Sequence, residues 1–339
     1  MISNNGSLRS IIIVNHADGW LAFSPFSKRV AYAKSKNVLA SFVESENRKF
    51  AHEVVCSPIG SSKSIKRVSL ILTKDCPMRC IYCYTHAGEV KTEMPRELAL
   101  RSIREVAEEG IDTLHVTFFG GEPTLCMETV RACVNLARTL APNCLFHIST
   151  GGVASEHVVD YIAEQGFTVN LSMDGPPDIQ NLLRPLPDGK PSAEFAERTI
   201  KRLVASGASF KVRATVTELN VTRLSESVEY WGGLGVKFVH FEPINIIGRA
   251  SRAEMALPDA DVYIASFIAA LDTAETLGIG LINSAYMNLL NPSPCYCTTV
   301  AGDKIIVAPD GAVTLCYEVQ ECGHQLSDFV IGKYDQETD

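Results

Sequence analysis

The sequence predicts an α/β protein built on a partial (β/α)6 barrel, in which six parallel strands alternate with helices. Three observations support this fold class. Short segments rich in Val, Ile and Leu alternate with helical segments of about ten to fifteen residues, which is typical of βαβ units. Glycines such as Gly110 and Gly166 follow the helical segments, where helices commonly end. Polar and cysteine-containing motifs follow the strand segments, where barrel enzymes place their chemistry.

The first 66 residues do not follow this pattern. Short apolar stretches separated by turn residues predict a small β-rich N-terminal unit, which is followed by a helix over 38–46. A polar stretch over 60–66 marks its end, so we expect a domain of residues 1–66. The predicted strands of this unit are 11–14, 20–23 and 30–32.

Residues 67–257 carry the predicted barrel, and 258–339 form a C-terminal region that opens with a linker helix over 259–277. The six barrel strands are expected at 68–73, 113–119, 145–149, 168–173, 211–216 and 237–242. The helices between them are expected at 97–109, 127–140, 157–165, 194–206 and 225–232.

Composition narrows the classes of function. The chain has 339 residues, of which 46% are hydrophobic and 21% are charged, so a sizeable core is expected. No apolar run reaches the length of about 18 residues that a membrane span needs, and the apolar patch 11–14 is too short for a signal peptide. We therefore expect a cytoplasmic protein. The net charge of −8 and the lack of a Lys/Arg block argue against a nucleic acid as the main partner.

Eleven cysteines are many for a cytoplasmic chain, where clustered cysteines more often bind metals or act in catalysis than form disulfides. Three of them lie within eight residues, and four lie within twenty-eight residues near the C-terminal end. The others stand alone and are interpreted as small buried apolar residues. These are Cys56, Cys126, Cys133 and Cys144.

Cys76, Cys80 and Cys83 directly follow the first barrel strand with the spacing C-x3-C-x2-C. Three thiolates on one loop can bind three irons of a [4Fe–4S] cubane and leave the fourth iron open to a chelating ligand. The alternative is a zinc site, which normally has four protein ligands. His86 is only a weak candidate for the fourth.

With Tyr82 before its third cysteine, this segment resembles the signature of the radical S-adenosylmethionine (SAM) superfamily, and the resemblance covers residues 68–335. In that family the open iron chelates SAM, whose reductive cleavage yields a 5′-deoxyadenosyl radical that removes a hydrogen atom from the substrate. The resemblance implies a SAM-cleaving [4Fe–4S] cluster and an external one-electron reductant of the flavodoxin or ferredoxin type. It also places Tyr82 in the cofactor site.

A second motif, Gly120-Gly121-Glu122-Pro123, ends the next predicted strand. Its glycines allow the backbone to approach a ligand closely. In the family this stretch binds the ammonium group of SAM. Glu242 closes the sixth predicted strand, where it either faces the ligands or belongs to the end of the strand.

Later strand ends continue the resemblance and imply further SAM contacts. Thr150 stands in Ser-Thr-Gly, where family members often carry Thr-Asn-Gly near the ribose. Ser172 and Asp174 belong to a Ser-x-Asp-Gly motif that contacts the ribose hydroxyls or supports the site. Arg213 matches an arginine that pairs with the SAM carboxylate, for which a guanidinium is suited through bidentate bonds. Arg184 lies in an Arg-Pro turn that is common after this motif.

The C-terminal cysteines form a pattern of their own. Cys297, Gly311 and Cys316 have the spacing C-x13-G-x4-C, which resembles the start of the SPASM or twitch extensions that bind auxiliary iron–sulfur clusters. The Pro-Asp-Gly sequence ending at Gly311 predicts a β-hairpin. Either the chain is a piece of a longer SPASM enzyme, or it holds one twitch-like cluster on Cys297, Cys316 and one or both of Cys295 and Cys322. Buried cysteines of a hairpin are the third interpretation.

The leading hypothesis is a radical SAM enzyme that modifies a peptide or protein by crosslinking, epimerisation or oxidation, as in ribosomal peptide maturation. The small β-rich unit with residues 23–27 resembles the domains that precede the barrel in peptide maturases, some of which hold a leader peptide as an added strand. The alternative is an N-terminal cover that only protects the barrel. The alternatives are a twitch-type dehydrogenase of a small molecule and a metal-binding regulatory protein without turnover. No residue is identified as a catalytic base.

Overall fold

The computed structural model describes residues 12–16, 18–24, 29–53, 65–107, 111–290, 304–321, 323–324 and 326–334. The chain divides into two compact units, one of residues 1–60 with 284–300 and one of residues 61–283 with 301–339. The strands are β1 (Ile12–His16), β2 (Gly19–Phe23), β3 (Val30–Ala33), β4 (Ile65–Thr73), β5 (Thr113–Gly120), β6 (Asn143–Thr150), β7 (Thr168–Ser172), β8 (Ser209–Val216), β9 (Phe238–Pro243), β10 (Gly280–Ile282), β11 (Lys304–Val307), β12 (Ala312–Thr314) and β13 (Val330–Lys333). The helices are α1 (Ala40–Glu53), α2 (Arg96–Val106), α3 (Met127–Leu140), α4 (Glu156–Glu164), α5 (Pro177–Leu183), α6 (Ala193–Ala205), α7 (Leu224–Gly233), α8 (Arg249–Arg252), α9 (Ala260–Leu277) and α10 (Ser284–Leu290).

The smaller unit contains an antiparallel sheet in the order β1-β2-β3, followed by α1. Strands β1 and β2 are antiparallel, as are β2 and β3, and the register pairs Val14 with Leu21 and Leu21 with Tyr32. Its described core consists of Ala22, Ala33 and Leu39. The three predicted strands and the helix after them are therefore present, with ends shifted by a few residues.

The larger unit is built on a ten-stranded sheet in the order β10-β9-β8-β7-β6-β5-β4-β11-β12-β13. Strands β4 to β9 pair in parallel with their neighbours in sequence, which confirms the predicted partial barrel of six strands. Beyond them, β10 adds a parallel strand next to β9. At the other side, β11 pairs in parallel with β4 and then turns into the antiparallel strands β12 and β13.

Alternation along the strands separates the two faces of this sheet. One face is apolar and fully buried, and it includes Val68, Leu70, Val116, Phe118 and Val212. Amphipathic helices such as α2 and α3 contribute buried Ile103, Val130 and Val134 to the core. The residues that alternate with the apolar set form the inner face, and these include the polar residues described below.

The structure corrects the predicted extent of several elements. The predicted linker helix is α9, which packs against α7. Strand β4 begins at Ile65, inside the segment assigned to the N-terminal unit. The short elements α5 and β10 were not predicted, because three to seven residues are too few to show a periodic pattern. None of the helices in the described ranges combines the length and apolar character of a membrane-spanning segment.

Candidate active site

The three clustered cysteines line one cavity of about 210 Å³ at the C-terminal ends of the barrel strands. The loop that carries Cys76, Cys80 and Cys83 leaves β4, and the wall opposite is formed by the ends of the following strands. The cavity therefore lies where the barrel architecture predicts it. The predicted site residues on its wall are Tyr82, Gly120, Gly121, Glu122, Thr150, Ser172 and Arg213, joined by Glu242.

Arg79 organises the cysteine loop from within. One guanidinium nitrogen, Nη1, donates hydrogen bonds to the carbonyl oxygens of Cys76 at 2.7 Å and Met78 at 2.8 Å. The other, Nη2, donates to the carbonyl oxygen of Gly88 at 2.9 Å. A guanidinium has five donors in a fixed geometry, so this one side chain can hold three backbone carbonyl groups of the loop in place.

The two glycines of the Gly-Gly-Glu-Pro motif are required by the cysteine loop as well as by the cavity. A Cβ atom on Gly121 would lie 2.1 Å from the carbonyl oxygen of Asp75, and one on Gly120, which has φ of +134°, would lie 2.5 Å from that of Thr73. The backbone of Glu122 donates to the carbonyl of Asp75 at 2.9 Å. The expectation that these glycines serve the approach of a ligand is thus incomplete, because they also let β5 meet the loop after β4.

Glu122 is fully buried, and its carboxylate is held by protein donors. Oε1 accepts hydrogen bonds from the backbone and hydroxyl of Thr124 at 3.2 and 2.7 Å, and Oε2 accepts one from the backbone of Gly151 at 2.8 Å. Burial raises the pKa of this carboxyl despite these bonds. Pro123 follows at the start of a short 3₁₀ helix and is buried behind the cavity.

Asp174 lies behind the cavity wall rather than on it. Its Oδ2 accepts hydrogen bonds from the hydroxyl of Tyr82 and from Nε of Arg184, the latter at 2.9 Å, and Oδ1 accepts from the backbone of Thr215 at 2.9 Å. The side chain is fully buried. Because its oxygens are occupied by protein donors, direct contact with a cofactor is not available in this arrangement. Asp174 is placed as a residue that positions Tyr82 and Arg184.

The other predicted residues reach the cavity directly. Thr150 is buried, and its hydroxyl accepts a hydrogen bond from the backbone of Gly152 at 3.0 Å. Ser172 and Arg213 are paired across β7 and β8 and face the cavity together. Oε2 of Glu242 and Nε2 of His240 are joined by a hydrogen bond of 2.9 Å.

Two arginines lie against the cysteines. Nη1 of Arg184 lies 3.9 Å from the sulfur of Cys80, and the backbone nitrogen of Arg249 donates to the carbonyl of Cys83 at 3.0 Å. Burial raises the pKa of Cys80 to about 11, although Arg184 opposes the shift. Burial alone would also raise the pKa of Cys83, but hydrogen bonds from Thr85 and Arg249 bring it below its usual value.

The donor set fits an iron–sulfur cluster. A thiolate-ligated cluster needs sulfur ligands and donors to those sulfurs. The loop supplies the sulfurs and the hydroxyl of Thr85, and Arg184 supplies a further donor from the end of α5. Nε of Arg249 is buried without a hydrogen-bond partner, and its nearest acidic atom, Oε1 of Glu89, lies at 3.9 Å. Within the described ranges, no three His, Cys, Asp or Glu side chains are arranged around one point as ligands of a single metal ion.

Of the C-terminal cysteines, the structure describes Cys316, which is half-buried just after β12. Cys295, Cys297 and Cys322 lie outside the described residues, as does Cys56. The neighbouring Tyr317 connects this segment to the barrel: its hydroxyl shares a hydrogen bond with Ser69 at 2.8 Å. Cys126 and Cys133 are buried, and Cys144 is half-buried.

Some wall residues were not identified from the sequence. Met78 and Tyr84 line the cavity from within the cysteine loop, Asn170 lines it from β7, and Arg249 lines it from α8. The alternation of β7 could have indicated Asn170, because it shares a face with Ser172. No spacing or composition signal pointed to Arg249.

Comparison with known proteins agrees with this geometry. Residues 70–227 match the family model of the Radical SAM superfamily. That superfamily uses a [4Fe–4S] cluster and SAM.

The similar proteins include an uncharacterized protein of Methanocaldococcus jannaschii, 26% identical over 74% of this chain and 85% of that protein. A cysteine-type anaerobic sulfatase-maturating enzyme of Clostridium perfringens is 27% identical over 49% of this chain, and the match spans 48% of that enzyme. The chain thus spans about half the length of the maturase. Among solved structures, native anSMEcpe with bound AdoMet and Cp18Cys peptide has a TM-score of 0.64 and 20% identity, covering 79% of this chain and 77% of that one.

Proposed function

We propose that this protein is a radical SAM enzyme that removes a hydrogen atom from a peptide or protein substrate. The observation that carries the proposal is the single cavity shared by Cys76, Cys80, Cys83 and the Gly-Gly-Glu-Pro motif. When bound, the cluster and SAM supply a 5′-deoxyadenosyl radical as the hydrogen acceptor. The chain's own residues position these groups and enclose them.

Each part of the wall has a proposed task. The thiolates of Cys76, Cys80 and Cys83 would hold the SAM-cleaving cluster. Gly120, Gly121, Glu122 and Thr150 would take the amino-acid end and ribose of SAM, with Ser172 and Arg213 beside them. Tyr82 is buried, and its ring is held by the guanidinium of Arg184, whose carbon lies 5.2 Å from the ring centre. This gives the adenosine portion an ordered aromatic edge.

Two observations support a peptide or protein substrate. Similar proteins include a sulfatase-maturating enzyme, and a structural neighbour is described with a bound peptide. The N-terminal unit also offers a sheet edge: within the described residues β3 pairs only with β2, and Val30 and Tyr32 on it are 58% and 49% exposed. An exposed edge can accept an extended segment as an added strand.

We further propose that Cys316, with Cys295, Cys297 and Cys322, holds an auxiliary iron–sulfur cluster. Support comes from the hairpin of β11 and β12, which the C-x13-G-x4-C spacing and the Pro-Asp-Gly turn predicted. Gly311 at this turn has φ of +87°, and a Cβ there would lie 2.7 Å from the carbonyl oxygen of Tyr334. The glycine in the spacing is therefore a requirement of the hairpin.

The first test is anaerobic reconstitution with iron and sulfide, followed by iron counting and a dithionite-driven assay for 5′-deoxyadenosine. We expect SAM cleavage by wild type and by Cys133→Ala, which removes a buried cysteine of α3 away from the cavity. Cys80→Ala should abolish it. Four irons per chain indicate the radical site alone, and eight add the auxiliary cluster, as expected for cubanes of four irons each. Zinc without 5′-deoxyadenosine would overturn the proposal.

The substrate class needs a second test. Peptides encoded by short reading frames next to the gene are prepared with deuterium at carbon and incubated with the reduced enzyme and SAM. Deuterium in 5′-deoxyadenosine, with a mass change in the peptide, is the expected result. A small alcohol that transfers deuterium where no peptide does would favour the dehydrogenase alternative instead.

A further inference from the structure

The inner face of the large sheet carries an excess of basic side chains. Residues paired across a parallel ladder lie on the same face, so the register from β11 through β4 to β9 defines that face. Its acidic member among the described strand residues is Glu242, whereas the whole chain has a net charge of −8. Its basic members are Lys304, Arg67, His115, His147, Lys211, Arg213 and His240.

Several of these groups lie close together. Nη1 of Arg67 is 3.3 Å from Nδ1 of His115, and the rings of His115 and His147 are stacked with centroids 6.0 Å apart. Burial lowers the pKa of His147, and the positive charges of Arg67 and Lys211 lower it further. The pKa of Lys211 is lowered by burial and, to a smaller extent, by the positive charge of Arg213. The positive charges of Arg67 and Lys211 therefore oppose the protonation of His147, and that of Arg213 opposes the protonation of Lys211.

Glu242 is the carboxylate that the described strand residues place on this face, and its Oε2 lies 2.9 Å from Nε2 of His240. Within the described ranges, the side chains of Lys211 and Arg213 make no hydrogen bond or ion pair with protein groups. Lys211 is partly buried, and Arg213 is exposed on the same face of β8. A like charge beside a partly buried cation destabilises the folded chain unless a ligand of opposite charge joins them. Such local violations of good packing are typical of functional sites.

The basic face continues from the active-site cavity. Ser172 and Arg213 line the cavity, and Lys211 lies on the same face of β8, two residues farther from the C-terminal end of the strand. That separation is about 7 Å along a strand. Arg213 can serve the carboxylate of SAM, but Lys211 and His147 lie deeper in the barrel. Lys211 and His147 are therefore available to bind a different anion.

We propose that this basic inner face, centred on Lys211 and His147, binds a carboxylate of the peptide substrate, from an acidic side chain or the C-terminus. The proposal rests on the proposed function and adds the chemical class of the substrate. A bound carboxylate would hold one end of the target residue below the cofactor. Its hydrogen-bearing carbon would then be presented toward the cavity from the barrel interior.

Binding to the reconstituted full chain with SAM tests the site without turnover. The probes are glutamate and glutamine capped at both backbone ends, which differ in charge but not in size, and inorganic phosphate. Capped glutamate should bind at least tenfold more tightly than capped glutamine. Lys211→Met should weaken the binding of capped glutamate at least tenfold. Lys201→Met, a matched loss of charge on exposed α6, should leave it within twofold.

A second readout is independent of the probes. In anion-free buffer Lys211→Met should raise the melting temperature of the protein, because it removes repulsion from the folded state. A lower melting temperature, or equal binding of the two capped amino acids, would overturn the proposal. Phosphate binding more than tenfold tighter than capped glutamate would also overturn it, in favour of a phosphorylated substrate.

The two proposals fail in different ways. Discrimination by charge without deuterium transfer from any peptide would refute the proposed function and leave the carboxylate site standing. Deuterium transfer from peptides, with no discrimination between capped glutamate and glutamine, would refute the carboxylate site alone.

Discussion

Asp174→Asn tests whether the buried network behind the cavity holds the site together. Asparagine has nearly the same shape as aspartate, so the change removes charge with little loss of volume. It retains an oxygen that can accept from the backbone of Thr215. It leaves the guanidinium of Arg184 without its counter-charge, and the hydroxyl of Tyr82 loses a carboxylate acceptor.

The expected cost follows from burial. The side chain of Asp174 is 0% exposed and that of Arg184 is 11% exposed, so water does little to screen the uncompensated cation. Removing one partner of such a buried pair costs about 3–5 kcal/mol of unfolding free energy. The replacement of both charges is much less costly, so Asp174→Asn combined with Arg184→Met should recover part of the loss.

The assay is denaturant unfolding of the cluster-free protein under anaerobic conditions, with the midpoint and slope compared between variants. Asp178→Asn is the matched control. Asp178 also pairs with an arginine, Arg223, but its side chain is 63% exposed. Solvent screening makes the expected loss there much smaller. Equal losses for the two variants, or no recovery in the double variant, would refute the reasoning.

Three further changes act on other parts of the site. Gly121→Ala places a Cβ 2.1 Å from the Asp75 carbonyl oxygen, and it should lower iron content after reconstitution; normal iron content would contradict the packing argument. Burial raises the pKa of Glu122 above its ordinary 4.5, so the protonated side chain contributes fully to the stability of the folded protein below pH 4.5. That contribution is lost as the pH rises through the pKa that Glu122 has in the folded state. Unfolding at several pH values should show wild type losing stability relative to Glu122→Gln with rising pH; a constant difference would contradict the shift. Arg249→Gln removes a positive charge beside the cluster and should lower the midpoint potential of the cluster by at least about 59 mV, which is a tenfold change in the one-electron equilibrium. The potential is measured by a redox titration followed by electron paramagnetic resonance. Arg252→Gln, on the same short helix but exposed, should not change it.

The barrel could be predicted because its strands carry a strong local signal. Each of the six strands carries β-branched or aromatic residues, and helical segments separate consecutive strands, an alternation that is typical of a parallel sheet. The pairing of β11 with β4 could not be predicted in the same way. The Pro-Asp-Gly turn specifies a local hairpin, but the contact of Ile306 with Ser69 joins segments far apart in sequence. Nothing in the hairpin's own residues selects that partner.

The site shows the same division between local and distant information. The spacing of Cys76, Cys80 and Cys83 was sufficient to place them on one loop and one cavity wall. The resemblance implied that Asp174 either contacts the ribose of the cofactor or supports the site, and it did not decide between the two. Its actual position depends on the partners that reach it, Tyr82 from the loop and Arg184 from the segment after α5. Asp174 and these two partners lie on three segments, and a single sequence does not show which side chains meet.

The C-terminal segment packs against the strand and the loop that lead to the active-site cavity, whatever its cysteines bind. Strand β11 pairs with β4, the strand that leads directly into the cysteine loop. Tyr317, next to Cys316, forms a hydrogen bond with Ser69 on β4. Its ring also packs against Phe119 on the cavity wall, with ring centroids 4.9 Å apart. Lys74 at the start of the loop is paired with Glu321 at 2.6 Å. These contacts fix Cys316 relative to the loop, so a metal centre held there would be coupled mechanically to the radical site rather than tethered beside it.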